Sequence, residues 1–117
     1  MRADRVVPPA RKMRRSSGER LREAVMALAG GHGEVLQHSE TAWASITFAG
    51  TRHRMRIAFD GDEAVAAGEQ LVADLPDHEF AIPRQLVADA AVCGVESTLV
   101  PEPRMMVECE LLLLEDA

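Results

Sequence analysis

Large aromatic residues and cysteines are scarce in this sequence. It contains one tryptophan, three phenylalanines and no tyrosine among 117 residues. Few aromatic side chains are therefore available to wall a ligand pocket or to stack nucleic-acid bases. The two cysteines, Cys93 and Cys109, are too few for a disulfide framework or a four-cysteine zinc site. We expect both thiols to be buried as small apolar side chains, and we expect no metal ion and no cofactor.

Long apolar runs are also missing. The uninterrupted apolar stretches are short, as in the four leucines at 111–114, whereas a membrane-spanning helix needs roughly 20 apolar residues. The N-terminal segment contains arginine and proline but no apolar run of the kind found in secretion signals. We therefore predict a cytoplasmic protein with no membrane partner. A chain of 117 residues and 12.8 kDa fits one domain.

The residue patterns of common enzymes do not occur. The sequence has no G-x-S-x-G nucleophile motif and no zinc-hydrolase helix motif. Its four histidines are scattered without a helical pair spacing (His32, His38, His53, His78). The glycine-rich stretch 30–33 follows a predicted helix, whereas a phosphate-binding loop follows a strand and opens a helix. The sequence favours a non-catalytic protein over an enzyme, and it identifies no catalytic residue.

Charge is divided unevenly along the chain. Residues 1–22 carry eight basic and two acidic side chains, a net charge of +6, whereas residues 23–117 carry five basic and seventeen acidic ones, a net charge of −12. An acidic body argues against nucleic acid as the main partner, because phosphate binding needs a dense cationic surface. Arginine outnumbers lysine twelve to one, which we attribute to the coding bias of a GC-rich bacterial genome.

The basic end of the chain is predicted to be a flexible arm. Residues 1–15 include the pair Pro8–Pro9, which disfavours a helix, and a basic cluster that repels itself. Two alternatives stay open: the arm folds back on the acidic body, or translation starts at Met13. Residues 16–117 are predicted to form a single domain.

A first helix is predicted over residues 17–29. Ser16 and Glu19 have the spacing of a capping box, in which each side chain binds the backbone N–H of the other residue. An apolar stripe at helical spacing follows, formed by Leu21, Val25 and Leu28. Glycines at 30 and 31 then end the helix.

Three strands are predicted next, over 34–39, 42–49 and 52–59. The last two alternate apolar and polar residues around a turn at 50–51, which is the pattern of an antiparallel hairpin with one wet face. A second helix is predicted to begin with Asp60 as its cap and Glu63 as the return partner, and to end at Pro76. The acids at 60–63 could also bind a hard cation, but capping explains them without a metal.

Three further strands are predicted in the last third. They are a short strand around 80–82, a central strand at 86–100 whose first part could instead be helical, and a strand at 105–114. The expected fold is therefore α+β, with an antiparallel sheet of about five to six strands and two helices packed on one face in the order α-β-β-β-α-β-β-β.

The most directional basic feature of the body is a row of three arginines. Arg52, Arg54 and Arg56 are spaced by two residues and so lie on one face of a strand, and Trp43 on the neighbouring strand could share that face. Such a row could hold a small anionic ligand. The simpler interpretation is a solvated face with cross-strand glutamate partners, and we favour it because such pairs are common on open sheets.

The C-terminal strand indicates self-association. Residues 111–114 are apolar on both faces, and two helices can cover one face only. Leu112 and Leu114 should then lie on the opposite face and form an interface, most simply a homodimer. The competing interpretation is that the first strand or the N-terminal arm folds over that face and keeps the protein monomeric. We expect a non-catalytic binding or interaction module that self-associates. The alternative is a protein, or a small enzyme, that binds an anionic ligand at the face of Trp43 and the arginine row.

Overall fold

A computed structural model describes residues 16–115, so the predicted basic arm at 1–15 lies outside the described residues. Two α-helices, one 3₁₀-helix and four strands occur in that part of the chain. In chain order they are α1 (Ser17–Leu28), β1 (Glu34–Ala44), β2 (Ala49–Asp60), α2 (Asp62–Asp74), a 3₁₀-helix (Leu75–Asp77), β3 (Gln85–Thr98) and β4 (Arg104–Glu115). None of these helices is both long and apolar enough to span a bilayer.

The start and end of α1 follow from local sequence. The predicted capping box is present: the Glu19 backbone N–H donates to Ser16 Oγ at 3.1 Å, and the Ser16 N–H donates to Glu19 Oε1 at 3.0 Å. The helix ends before Gly30, whose φ of 67° is in the left-handed region that favours glycine. Leu21 and Val25, from the predicted stripe, are fully buried.

The sheet has four strands in the order β1-β2-β4-β3, and every neighbouring pair is antiparallel. Alternate side chains of β2 and β4 join both helices in one core, so both helices lie on the same face of the sheet. The members that fill this core from the sheet are Met55, Ile57, Phe59, Met105, Val107, Cys109, Leu111 and Leu113. The α+β class and the two helices are as predicted, and the number of strands is not.

Two predicted strands, 34–39 and 42–49, are one strand and a turn. Strand β1 runs unbroken to Ala44, with a bulge between Val35 and Gln37. The chain then turns because the Ser45 side chain binds the backbone: its Oγ accepts from the Phe48 N–H at 3.1 Å, and the Ser45 N–H donates to the Phe48 carbonyl at 2.8 Å. The predicted strand around 80–82 is reduced to a single bridge between Ile82 and Gln85.

The segment predicted as a central strand at 86–100 is an edge strand. Strand β3 pairs with β4 alone and has register shifts at Val87–Asp89 and at Val92–Gly94. Bulges of this kind are typical of sheet edges. The central position belongs to β4, which pairs with β2 on one side and with β3 on the other.

The cap predicted for the second helix is wrong. Helix α2 begins at Asp62 after Gly61, whose φ is 95°, and no side chain caps it. Asp60 instead ends β2, where its carboxylate Oδ1 lies 3.2 Å from Nε of Arg104 on β4. The acid therefore takes part in cross-strand pairing, and Asp62 and Glu63 remain in the first turn of the helix.

Helix α2 approaches the sheet closely at Gly68. A Cβ at this position would lie 2.9 Å from Met105 Sδ and 2.9 Å from Cδ2 of the fully buried Phe59 ring. The missing side chain thus sets the distance between α2 and the sheet.

We predict that Gly68→Ala lowers the free energy of unfolding by about 1 kcal/mol. Overpacking a core costs about 1–3 kcal/mol, and the higher helix propensity of alanine offsets up to about 1 kcal/mol of it. Urea denaturation of the two proteins measures the difference. Gly18→Ala in α1 is the matched control, because there the nearest atoms belong to the end of the flexible Glu40 side chain. Equal effects at the two positions would show that close packing at Gly68 is not the cause.

Candidate functional site

The face of the sheet opposite the helices, which we call the open face, carries the predicted site residues. Cross-strand partners in register share a face, so Arg52, Arg54 and Arg56 of β2 lie beside Leu112, Glu110 and Glu108 of β4. Trp43 pairs with Gly50, and Gly50 pairs with Leu114, which places the tryptophan on the same face. The structure therefore places every residue of the predicted ligand site and of the predicted interface on one face, with Trp43 and Arg56 towards opposite ends of it.

Each arginine of the row has a glutamate within 4.0 Å. Nη1 of Arg52 lies 3.2 Å from Glu110 Oε1, Nη1 of Arg54 lies 4.0 Å from Glu110 Oε2, and Nε of Arg56 lies 3.8 Å from Glu108 Oε2. Register also places four more acids on this face (Glu34, Asp60, Asp89, Glu96), together with Arg104. Acids thus outnumber arginines, and the face provides no net positive charge for an anion.

One end of the open face is apolar, and we call it the apolar end. It consists of Trp43, Leu86, Leu112 and Leu114, next to Phe48 in the β1–β2 turn. Leu112 and Leu114 are 9% and 8% exposed within a single chain, so they do not themselves form the exposed patch that the sequence predicts. The exposed apolar surface there comes from Leu86 and Phe48, which are 58% and 53% exposed.

The opposite, helix-covered face contains a pair of histidines that sequence analysis missed. His38 of β1 and His53 of β2 lie with Nε2 of the first 2.9 Å from Nδ1 of the second. His38 and Glu40 are two residues apart on β1, and Glu40 is directly opposite His53. Alternation along paired strands could have suggested this meeting, but only with the register known. Two histidines that meet on a helix have a fixed spacing in the sequence, so they can be found from the sequence alone. Two histidines that meet across strands have no fixed spacing, so they cannot.

The hydrogen bonds assign the proton positions of both rings. The Arg22 guanidinium donates to His38 Nδ1 at 3.3 Å, so Nδ1 carries a lone pair and Nε2 carries the proton. His38 Nε2–H then donates to His53 Nδ1, and His53 Nε2–H donates to Thr51 Oγ1 at 3.1 Å. Both rings are neutral in this chain of hydrogen bonds.

Burial favours the same neutral state. It lowers the pKa of His38 below the usual 6.5, and the charges of His53 and Arg22 lower it further, against an opposing effect of Glu40. Burial also lowers the pKa of His53, again against Glu40. The side chain of His53 is fully enclosed, between α1 and the sheet.

The two cysteines differ in environment. Cys109 is buried in the core, where burial raises the pKa of its thiol to about 12, as does the neighbouring Cys93. Cys93 is exposed, contrary to the prediction that both are buried, because it lies in the bulge between Val92 and Gly94 of β3. A thiol with so high a pKa is a poor nucleophile, so Cys109 serves as a core residue.

Comparison with known proteins gives a structural match but no sequence match. The sequence matches no family model and no curated protein. A chain in the solved structure of the virion of a native gene transfer agent (GTA) particle has a similar fold, with a TM-score of 0.53 and 14% sequence identity. The match covers 87% of this chain and 92% of that chain. At this identity the likeness shows the fold.

We predict that Arg54→Ala lowers the free energy of unfolding by less than about 1 kcal/mol, since its ion pair is long and its side chain is 57% exposed. Thermal unfolding with and without phosphate provides the measurement. Phosphate should raise the melting temperature of both proteins equally. A larger rise for the unmodified protein would instead reveal an anion site at the arginine row.

We predict that the protein loses stability as pH falls below about 6.5. Above this value both histidines are neutral, folded or unfolded; below it the unfolded chain binds protons first, because the folded-state pKa values of His38 and His53 are lowered. Urea denaturation at pH 7.5 and 5.5 measures how much the free energy of unfolding falls between these two values. His38→Gln should make this fall smaller. His32→Gln, in the turn after α1, is the control. An equal fall in the His38 variant would contradict this account.

Proposed function

We propose that the protein is a non-catalytic assembly subunit that pairs with a second copy of itself through the open face. The observation that carries the proposal is the arrangement of this face: exposed apolar residues at one end and alternating arginines and glutamates along its middle. An exposed apolar patch beside polar residues is typical of protein interfaces.

The strand order makes the open face complementary to itself. The order β1-β2-β4-β3 has β2 and β4 at its centre. Consider a two-fold axis that runs parallel to the strands, above the open face and midway between β2 and β4. It would place β2 of one copy over β4 of the other. Arg54 and Arg56 of one copy would then face Glu110 and Glu108 of the other, and Arg52 would face Leu112. The Trp43 end of β1 would face the Leu86 end of β3, so the apolar ends would meet.

The area available fits a stable interface. Four strands spaced about 4.8 Å apart, with about 11 residues each at about 3.3 Å per residue, give a face of about 700 Å². Two such faces would bury about 1,400 Å², which lies within the range of specific protein interfaces.

The edges of the sheet are less suited to pairing than its open face. Strand β1 has a bulge at Val35–Gln37, and β3 has two, at Val87–Asp89 and Val92–Gly94. Irregular edges oppose the addition of a further strand. The chain of similar fold belongs to a virion, an assembly of many subunits, which supports an assembly role for this protein as well.

The alternative, an anionic ligand held by Trp43 and the arginine row, has less support. Glu108 and Glu110 pair with the three guanidiniums, and further acids on the same face offset the remaining positive charge. No residue of this site is marked as a catalytic acid or base. The phosphate comparison above would detect such a ligand site.

We predict that the unmodified protein has about twice the mass of 12.8 kDa in light scattering at micromolar concentration, and that Leu86→Glu is monomeric. Leu86 is the better position to test than Leu112, because Leu112 is enclosed within one chain and a charge there would disturb folding.

Leu99→Glu is the matched control for this prediction. Leu99 is 78% exposed in the β3–β4 turn, at the other end of the sheet from Leu86, and this variant should remain a dimer. A monomeric unmodified protein would overturn the proposal. If both variants dissociated alike, the interface would not be centred on the apolar end.

A further inference from the structure

The histidine pair and one carboxylate form a compact group of metal-binding atoms. One ligand atom each from His38, Glu40 and His53 lies within 4.8 Å of the other two. His38 and Glu40 point to the same face of β1 because they are two residues apart, and His53 lies opposite Glu40 on β2. A single hairpin thus supplies all three, which makes their spacing independent of distant parts of the fold.

Helix α1 leaves room for this group at Gly18. A Cβ at residue 18 would lie 2.5 Å from the Glu40 carboxylate oxygen Oε2 and 3.4 Å from Cε1 of His53. Glycine inside a helix lowers helix stability, by about 1 kcal/mol relative to alanine. Here it lets the helix backbone approach the carboxylate of the exposed Glu40 and the enclosed His53 at close range.

We propose that His38, Glu40 and His53 bind one Zn²⁺ ion. The ligands would be Nε2 of His38, Nδ1 of His53 and a carboxylate oxygen of Glu40, with water in the fourth position. Two imidazole nitrogens on a tetrahedral zinc ion, each about 2.0–2.1 Å from the metal, lie about 3.3 Å apart. The same two nitrogens are 2.9 Å apart here, so a change of a few tenths of an ångström admits the ion.

The surrounding hydrogen bonds already orient one ligand correctly. His53 Nε2–H donates to Thr51 Oγ1, which leaves the lone pair of Nδ1 directed at His38 and the metal position. A hydrogen bond from the non-coordinating nitrogen is the usual means by which proteins fix a metal-binding histidine.

The other histidine must change its tautomer. Without metal, His38 carries its proton on Nε2 and accepts from Arg22 at Nδ1. When Nε2 binds the ion, the proton moves to Nδ1, where it would oppose the N–H donors of Arg22. The exposed Arg22 side chain must then swing away. Arg22 therefore competes with the metal, through both its donor and its positive charge.

Titration of the full chain with Zn²⁺ in a calorimeter tests the proposal. We expect saturable binding of one ion per chain, and binding at least about tenfold weaker in His38→Gln and in Glu40→Gln, which each lose a ligand. These two side chains are chosen because His53 is fully buried and its replacement could prevent folding. Circular dichroism of each variant without metal establishes that it is folded.

Arg22→Gln gives the result that separates this site from general surface binding. It should bind Zn²⁺ about two- to fivefold more tightly, because it removes a like charge and a competing donor. Cys93→Ser and His78→Gln are controls that remove other metal-binding side chains and should leave the affinity unchanged. No saturable binding, or unchanged affinity in His38→Gln, would overturn the proposal and leave a hydrogen-bonded histidine pair.

Discussion

The packing of both helices against one face of the sheet determines the rest of this structure. Leu21 and Val25 of α1 and Leu71 of α2 belong to one buried core with alternating side chains of the two central strands. Residues 16–115 provide two α-helices with which to cover a four-stranded sheet. The other face must therefore be stabilised by ion pairs, by solvent, by residues outside this range or by another molecule.

The two faces have different chemistry because of this division. On the helix-covered face, burial keeps His38 and His53 neutral, and they are connected by hydrogen bonds from Arg22 through to Thr51. On the open face, charged residues are paired across strands and apolar residues gather at one end. Metal binding would belong to the first face and association to the second, so either proposal can fail without affecting the other.

Local patterns predicted the two helices and the strands at 52–59 and 105–114 well, whereas the hairpin turn lies at 45–48 and not at 50–51. The capping box at Ser16 and the alternation along β4 depend on neighbours in sequence, and both are present. The number of strands was wrong because the Ser45 turn rests on a side-chain hydrogen bond that composition does not reveal. The edge position of β3 was also missed, since an apolar segment looks alike at the centre and at a bulged edge.

The candidate sites show the same limit. The arginine row, and glutamates of the same spacing that could pair with it, were visible in the sequence. Both follow from alternation within single strands. The meeting of His38 and His53 depends on which residue faces which across β1 and β2. A shift of one residue in this register would separate the two rings, and no local pattern determines that register.

Tryptophan fluorescence on dilution tests directly whether two copies pair through the open face. Trp43 is the single tryptophan and lies at the apolar end of the open face, partly exposed within one chain. Pairing of two open faces predicts that dilution from micromolar to nanomolar concentration shifts its emission to longer wavelength and increases quenching by iodide. Emission and quenching that are independent of concentration, with iodide reaching Trp43 throughout, would contradict association through this face.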